Sequence, residues 1–173
     1  PPPPPYFYRS AHHLALHLPI PRHPHHVKIF KQNNQPLNNS ANNNGYSTAG
    51  SALDGIGDGA SVLIAGFAGS GEPESLLRGL ASTGVSNLTI ICQGAWLAEQ
   101  GTFGIADLVS GGHVKKMVSP MPFHPESGGV VKELWEAGEL ELEVVPQGIL
   151  VERMRAGGAG IGGVFLPTGA GTR

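Results

Sequence analysis

Cysteine is almost absent from the sequence: Cys92 is the single one. An internal disulfide framework and a Cys-based zinc site are both excluded on that ground. No apolar run approaches the roughly 18 residues a helix needs to cross a membrane. Acid is missing from residues 1–53 and glycine from residues 1–44. Residues 54–173 have the opposite balance, seven Lys/Arg against 13 Asp/Glu, so nothing there suggests a basic footprint for nucleic acid. The glycines that follow Gly45 keep no period of three, which excludes a collagen-like chain.

What is present divides the 173 residues near position 50. Residues 1–50 read as a low-complexity tail. Pro1 to Pro5 suit a polyproline II start. His12, His13, His17, His23, His25 and His26 interleave with proline, and residues 32–44 are an Asn/Gln tract. Such a segment buries too little apolar surface to offset its ordering entropy, so it is predicted to be disordered. Six histidines could bind a transition metal, but they come with no carboxylate and no scaffold, and no metal site is assigned. The lack of acid also fits an organelle transit peptide, against which stand sparse arginine and no amphipathic stretch. Residues 51–173 read as one globular domain, long enough for a single core.

In that domain short apolar runs alternate with helical patterns. Residues 62–67, 88–92, 116–119 and 140–145 are bounded by turn residues and predict buried strands. Between them, Leu76, Leu77 and Leu80 give one helix its stripe, residues 103–109 predict a weak helix, and Val130, Val131, Leu134 and Trp135 have helical spacing that Gly138 ends. Residues 147–156 predict a last helix, with Ile149, Leu150 and Met154 inward. The apolar run 163–166 then precedes Pro167. This pattern predicts an α/β fold, a mostly parallel sheet with flanking helices and right-handed crossovers. Ligands of such folds bind at the carboxyl ends of the strands.

Glycine clusters fall at those ends. Gly66-x-x-Gly69-x-Gly71 lacks the spacing of the dinucleotide fingerprint and has no Gly-Lys-Ser/Thr of a phosphate loop. Two readings stay open: a tight turn that needs positive φ, or backbone N–H groups offered to an anion or acyl oxygen. Cys92, at a strand end, reads as a small buried hydrophobe. His113 and His124 lie on predicted loops without ligand or triad spacing. Glu72 and Glu74 read as first-turn residues of a helix, suited to its dipole. Glu136, Glu139, Glu141 and Glu143 read as a solvated face.

The run from Asp58 to Pro73, D-G-A-S-V-L-I-A-G-F-A-G-S-G-E-P, resembles the amino-terminal signature of family I coenzyme A transferases. Ala65 replaces one glycine of that signature's G-G-F. Collinear matches follow at Thr83-Gly84-Val85-x-x-Leu88-Thr89, Gly138-Glu139-Leu140-Glu141, Pro146-Gln147-Gly148, Glu152 to Gly160, and Pro167-Thr168-Gly169-x-Gly171-Thr172. The resemblance covers residues 54–172 and points to the α subunit of enzymes acting on 3-oxoacids or 3-oxoadipate, truncated at its carboxyl end.

The resemblance implies transfer of CoA from an acyl-CoA thioester to a free carboxylic acid. The covalent intermediate would be a glutamyl-CoA thioester on a partner β subunit. No catalytic residue is then expected in this chain, no cofactor is held permanently, and coenzyme A thioester is a substrate. The substrate-binding residues implied are Gln147, Gln93, Gly94, Gly69 and Gly71. Gln93-Gly94 stand where the family often has two asparagines, and residues 162–166 depart from its P-A-F-Y/F-T. A cytoplasmic place follows, or the mitochondrial matrix in a eukaryote, with neither nucleic acid nor membrane as partner. Two other readings compete: a catalytically silent binding or assembly fragment, and a sugar-phosphate isomerase-like protein. The latter needs a base and a phosphate-gripping cation that Arg78, Lys115 and Arg153 do not supply.

Overall fold

The computed structural model describes residues 28–30, 48–67, 69–95, 102–126, 128–168 and 170–171. The chain divides into two compact units, one of residues 23–145 and one that includes residues 146–173.

Among the described residues, the first unit carries a sheet of five strands: β1 (Lys28–Phe30), β2 (Ser61–Ile64), β3 (Leu88–Ile91), β4 (Val114–Ser119) and β5 (Glu141–Val144). They lie side by side in chain order, and each neighbouring pair is parallel. Parallel neighbours need a crossover, and helices supply it: α1 (Ala49–Leu53) precedes β2, and α2 (Glu74–Ser82), α3 (Ile105–Ser110) and α4 (Gly129–Glu136) separate the later strands. The expected α/β architecture is borne out.

The strand period of two sets the core. Val62 pairs with Ile90, Ile90 with Met117 and Met117 with Leu142, one row across four strands. Val62, Ile90 and Met117 are fully buried, and the helices add Leu53, Leu77, Leu80, Ile105, Leu108, Val109 and Val131 to the same cluster. The pleat turns Lys116 to the other face, where its ammonium lies 2.7 Å from Glu141 and 3.3 Å from Glu143. Those two glutamates are therefore cross-strand partners of a lysine and not merely a solvated face. Gly138, at φ +76°, ends α4 as its position predicts.

Several expectations are corrected. Lys28–Phe30 pairs with Val62–Ile64, so the tail expected to be disordered contributes an edge strand; the rest of residues 1–47 lies outside the described residues. The boundary expected at 50/51 falls inside α1, which Thr48 caps by accepting the Ser51 N–H at 3.1 Å. In the second unit α5 (Gln147–Gly158) buries Ile149, Leu150 and Ala156, whereas Met154 points outward. The apolar run 163–166, to which the sequence assigns no element, is irregular, with Phe165 exposed. No helix among the described residues is long and apolar enough to cross a membrane.

The β1 pairing makes the amino-terminal segment testable. Deleting residues 1–27 should leave the thermal midpoint unchanged. Deleting residues 1–30 removes β1 and leaves β2 as the edge, which should cost about 1–3 kcal/mol for two or three ladder bonds. Denaturant melts of both truncations check this; equal stability would show that β1 adds nothing.

Candidate functional site

β2 leaves the sheet into a glycine loop, residues 65–73. Phe67 and Ser70 exchange backbone bonds there, each N–H donating to the other's carbonyl at 2.9 Å. Gly69 takes the third position of this four-residue turn at φ +80°, a conformation L side chains rarely adopt. Gly66 passes so close to Glu72 that a Cβ on it would lie 2.7 Å from Glu72 Cγ. The N–H groups of Gly69 and Gly71 find no acceptor among the described residues. The structure thus bears out the turn reading of the glycines.

β3, the next strand, leaves into Cys92, Gln93 and Gly94. The Gln93 carbonyl accepts the Ser119 hydroxyl at 2.8 Å, and that hydroxyl accepts the Met121 N–H at 3.2 Å. The Ser119 carbonyl receives the Val145 N–H at 3.2 Å. One fully buried serine therefore ties together the exits of β3, β4 and β5. Sequence reasoning missed it; the available signal is a small polar residue closing an apolar strand just before Pro120. The side-chain amide nitrogen of Gln93 is enclosed and donates to nothing among the described residues. Leaving such a donor unpaired costs about 1–3 kcal/mol, so folding alone does not account for an amide at this position.

Cys92 is buried, as expected. Burial pushes its thiol far above the ordinary range, the Glu72 carboxylate adds to this, and the Gly94 N–H opposes it. The first two effects disfavour the thiolate a nucleophile needs.

Four of the five implied substrate-binding residues, Gly69, Gly71, Gln93 and Gly94, thus gather at the carboxyl ends of two adjacent strands. Gln147 belongs to the second unit. It is exposed, opens α5 after Pro146, and follows Val144, the end of β5, by three residues. A Cβ on Gly148 would lie 3.5 Å from Thr168 Cγ2, so the P-Q-G and P-T-G motifs are neighbours. Asp58 works at the opposite end of the sheet: its carboxylate accepts the Ser86 N–H at 2.7 Å, while Gly59 N–H reaches the Ser86 carbonyl at 3.0 Å. That part of the signature is structural.

Glu72 differs from its expected place. α2 starts at Glu74, and Glu72 lies before it, 8% exposed, accepting the Ile105 N–H at 2.9 Å. Burial raises its carboxyl above the usual range; the Ile105 bond opposes this and nearby Asp107 adds to it. Glu74 accepts Arg78 at 2.7 Å and the Phe103 N–H at 3.2 Å.

Residues 46–173 match the family Coenzyme A transferase. The chain is 45% identical over 130 residues to a subunit of the 3-oxoadipate CoA-transferase of Pseudomonas putida, covering 75% of this chain and 54% of that protein. It is 35% identical over 160 residues to the mitochondrial succinyl-CoA:3-ketoacid coenzyme A transferase 2A of Rattus norvegicus, covering 92% and 29%. The crystal structure of a variant of the decarboxylase AibA/AibB superposes with a TM-score of 0.53 at 24% identity, over 66% of this chain and 43% of that one, and shows a shared fold. The chain spans about half the length of the 3-oxoadipate transferase subunits it matches.

The raised Glu72 carboxyl gives a pH signature. Between the ordinary carboxylate value of 4.5 and its raised one, the folded chain holds a proton that the unfolded chain has lost. Stability should therefore fall as pH rises through that window, with the full penalty above it. Glu72→Gln removes the penalty, so its thermal midpoint should gain on the parent's as pH is raised from about 4 to about 8. Melts of both proteins across that range decide; a pH-independent difference would contradict the buried carboxyl.

Proposed function

The chain belongs to the coenzyme A transferase family, and from that premise we propose that it is the α-subunit part of an enzyme moving CoA from an acyl-CoA to a free 3-oxo acid. A partner β subunit supplies the glutamate. Its carboxylate oxygen attacks the thioester carbonyl and releases CoA thiolate. The thiolate then attacks the resulting anhydride at the glutamyl carbonyl, freeing the first acid and forming glutamyl-CoA. The acceptor acid reverses these steps with its own carboxylate. CoA thioester enters as substrate, and this chain holds no cofactor of its own.

The observation that carries this reading is the enclosed amide nitrogen of Gln93 at the strand carboxyl ends, unpaired among the described residues. Acyl and carboxylate oxygens are acceptors, and a neutral amide binds them without adding charge. The N–H groups of Gly69 and Gly71, without an acceptor among the described residues, suit the same oxygens. In the second unit, Gln147 offers a further amide, exposed to solvent. Glu72 does not fit a nucleophile, because burial favours its protonated form and Ile105 occupies it. The relatives' names support the need for a partner: the Pseudomonas putida protein is one subunit of its transferase.

The test joins the full-length α chain to its β subunit. With acyl-CoA, borohydride reduction or hydroxylamine cleavage should place the thioester on the β chain; an adduct on this chain overturns the reading. Gln147→Ala and Gln93→Ala should each lower kcat/KM for the acceptor acid by roughly tenfold, the loss of about 1.4 kcal/mol in the transition state. Melting should change little at exposed Gln147. Full activity in either variant would remove that residue from substrate binding.

A further inference from the structure

Three consecutive backbone N–H groups each meet a different carboxylate. Phe103 donates to Glu74 at 3.2 Å, Gly104 to Asp107 at 2.7 Å, and Ile105 to Glu72 at 2.9 Å. Asp107 is local to α3. Glu72 and Glu74 come from far earlier, 33 and 29 residues away from their donors. Arg78 completes the arrangement, donating to Glu74 at 2.9 and 2.7 Å with its guanidinium 5.1 Å from the Phe103 ring centroid.

A buried carboxylate is a costly way to satisfy one helix-start N–H, which water or a local side chain could serve. Its geometry explains its presence. A Cβ placed on Gly66 would lie 2.7 Å from Glu72 Cγ and 3.2 Å from the Glu72 backbone nitrogen. Glu72 is also close enough to Cys92 for its charge to act on the thiol. The side chain therefore stands under the glycine loop, beside the β3 exit, with its far end fixed on α3.

We propose that Glu72 is a positioning residue: anchored on the Ile105 N–H, it props the turn of residues 66–71 and so fixes where the N–H groups of Gly69 and Gly71 stand. Its effect on catalysis rests on the CoA-transfer reading above. The side chain does not touch the substrate. It acts through the loop, so its loss weakens acid binding more than turnover.

The test pairs the α chain with its β subunit. Two things are read: steady-state kinetics for the acceptor acid, and amide exchange at Phe67, Ser70 and Ile105. Glu72→Ala should raise KM for the acid about tenfold with kcat changed less than about twofold, the pattern of lost binding without lost turnover. It should speed exchange at the three amides by about tenfold or more and leave Leu88–Ile91 protected. Glu72→Gln keeps an acceptor oxygen of the right reach and should restore both readouts. Glu72→Asp keeps the carboxyl group but is one methylene short of Ile105; it should reproduce the alanine effect in milder form, and it serves if the alanine variant does not fold. Unchanged exchange in the alanine and aspartate variants overturns the proposal. So does an equal loss in kcat and kcat/KM accompanied by faster exchange across Leu88–Ile91, the mark of a merely structural residue. If the parent pair transfers no CoA, the functional reading fails by itself, and exchange at Phe67 and Ser70 decides the prop alone.

Discussion

Each strand of the described sheet runs parallel to its neighbour, and the rest of the first unit follows from that constraint. A parallel pair cannot close with a tight turn, so every connection after α1 carries a helix across the sheet. Those helices bury their apolar stripes on the face that carries Val62, Ile90 and Met117, none of which is exposed. Fully burying a side chain of this size contributes about 1.5–3 kcal/mol. The same constraint sorts the loops: the strand exits share one end of the sheet and the entries share the other. The candidate site is the collection of exits.

Polar groups at the two ends have different work. At the entries Asp58 and Gly59 bind Ser86 from both sides and hold β2 level with β3. At the exits backbone groups run out of ladder partners, and side chains replace them: Ser119 for Gln93 and Met121, Glu72 for Ile105, Glu74 for Phe103. Among the described residues, the Gln93 amide nitrogen and the N–H groups of Gly69 and Gly71 have no such partner. The proposed acid-binding role falls to that remainder, which makes it more specific than a count of glycines.

The strands β2 to β5 were legible because each is a short apolar run between turn residues, and Leu77 and Leu80 marked α2 by their spacing. β1 was not, because three residues between a His/Pro stretch and an Asn/Gln tract carry no measurable period. Met154 was misplaced because α5 buries Ile149, Leu150 and Ala156, a face that hydrophobicity alone does not single out. Glu72 and Ser119 were hidden for one reason: their partners are 33 and 26 residues away in sequence. Local rules assign a glutamate near a helix start to that helix, whereas here the neighbouring helix claims it. The glycines were legible as a cluster, but only the turn geometry separates those that shape the backbone from those that leave a donor free.

Cys92 gives the site a built-in reporter. It is the sole cysteine of the sequence and is 4% exposed. Alkylating reagents therefore reach it only when the β3 exit opens, and no second thiol confuses the signal. The rate at which a maleimide consumes this thiol rises with the population of that open state, one residue from Gln93, without any label being introduced. A molecule that seats itself at the strand ends would slow the reaction in proportion to its occupancy, so the chain carries its own gauge of binding before any turnover is observed.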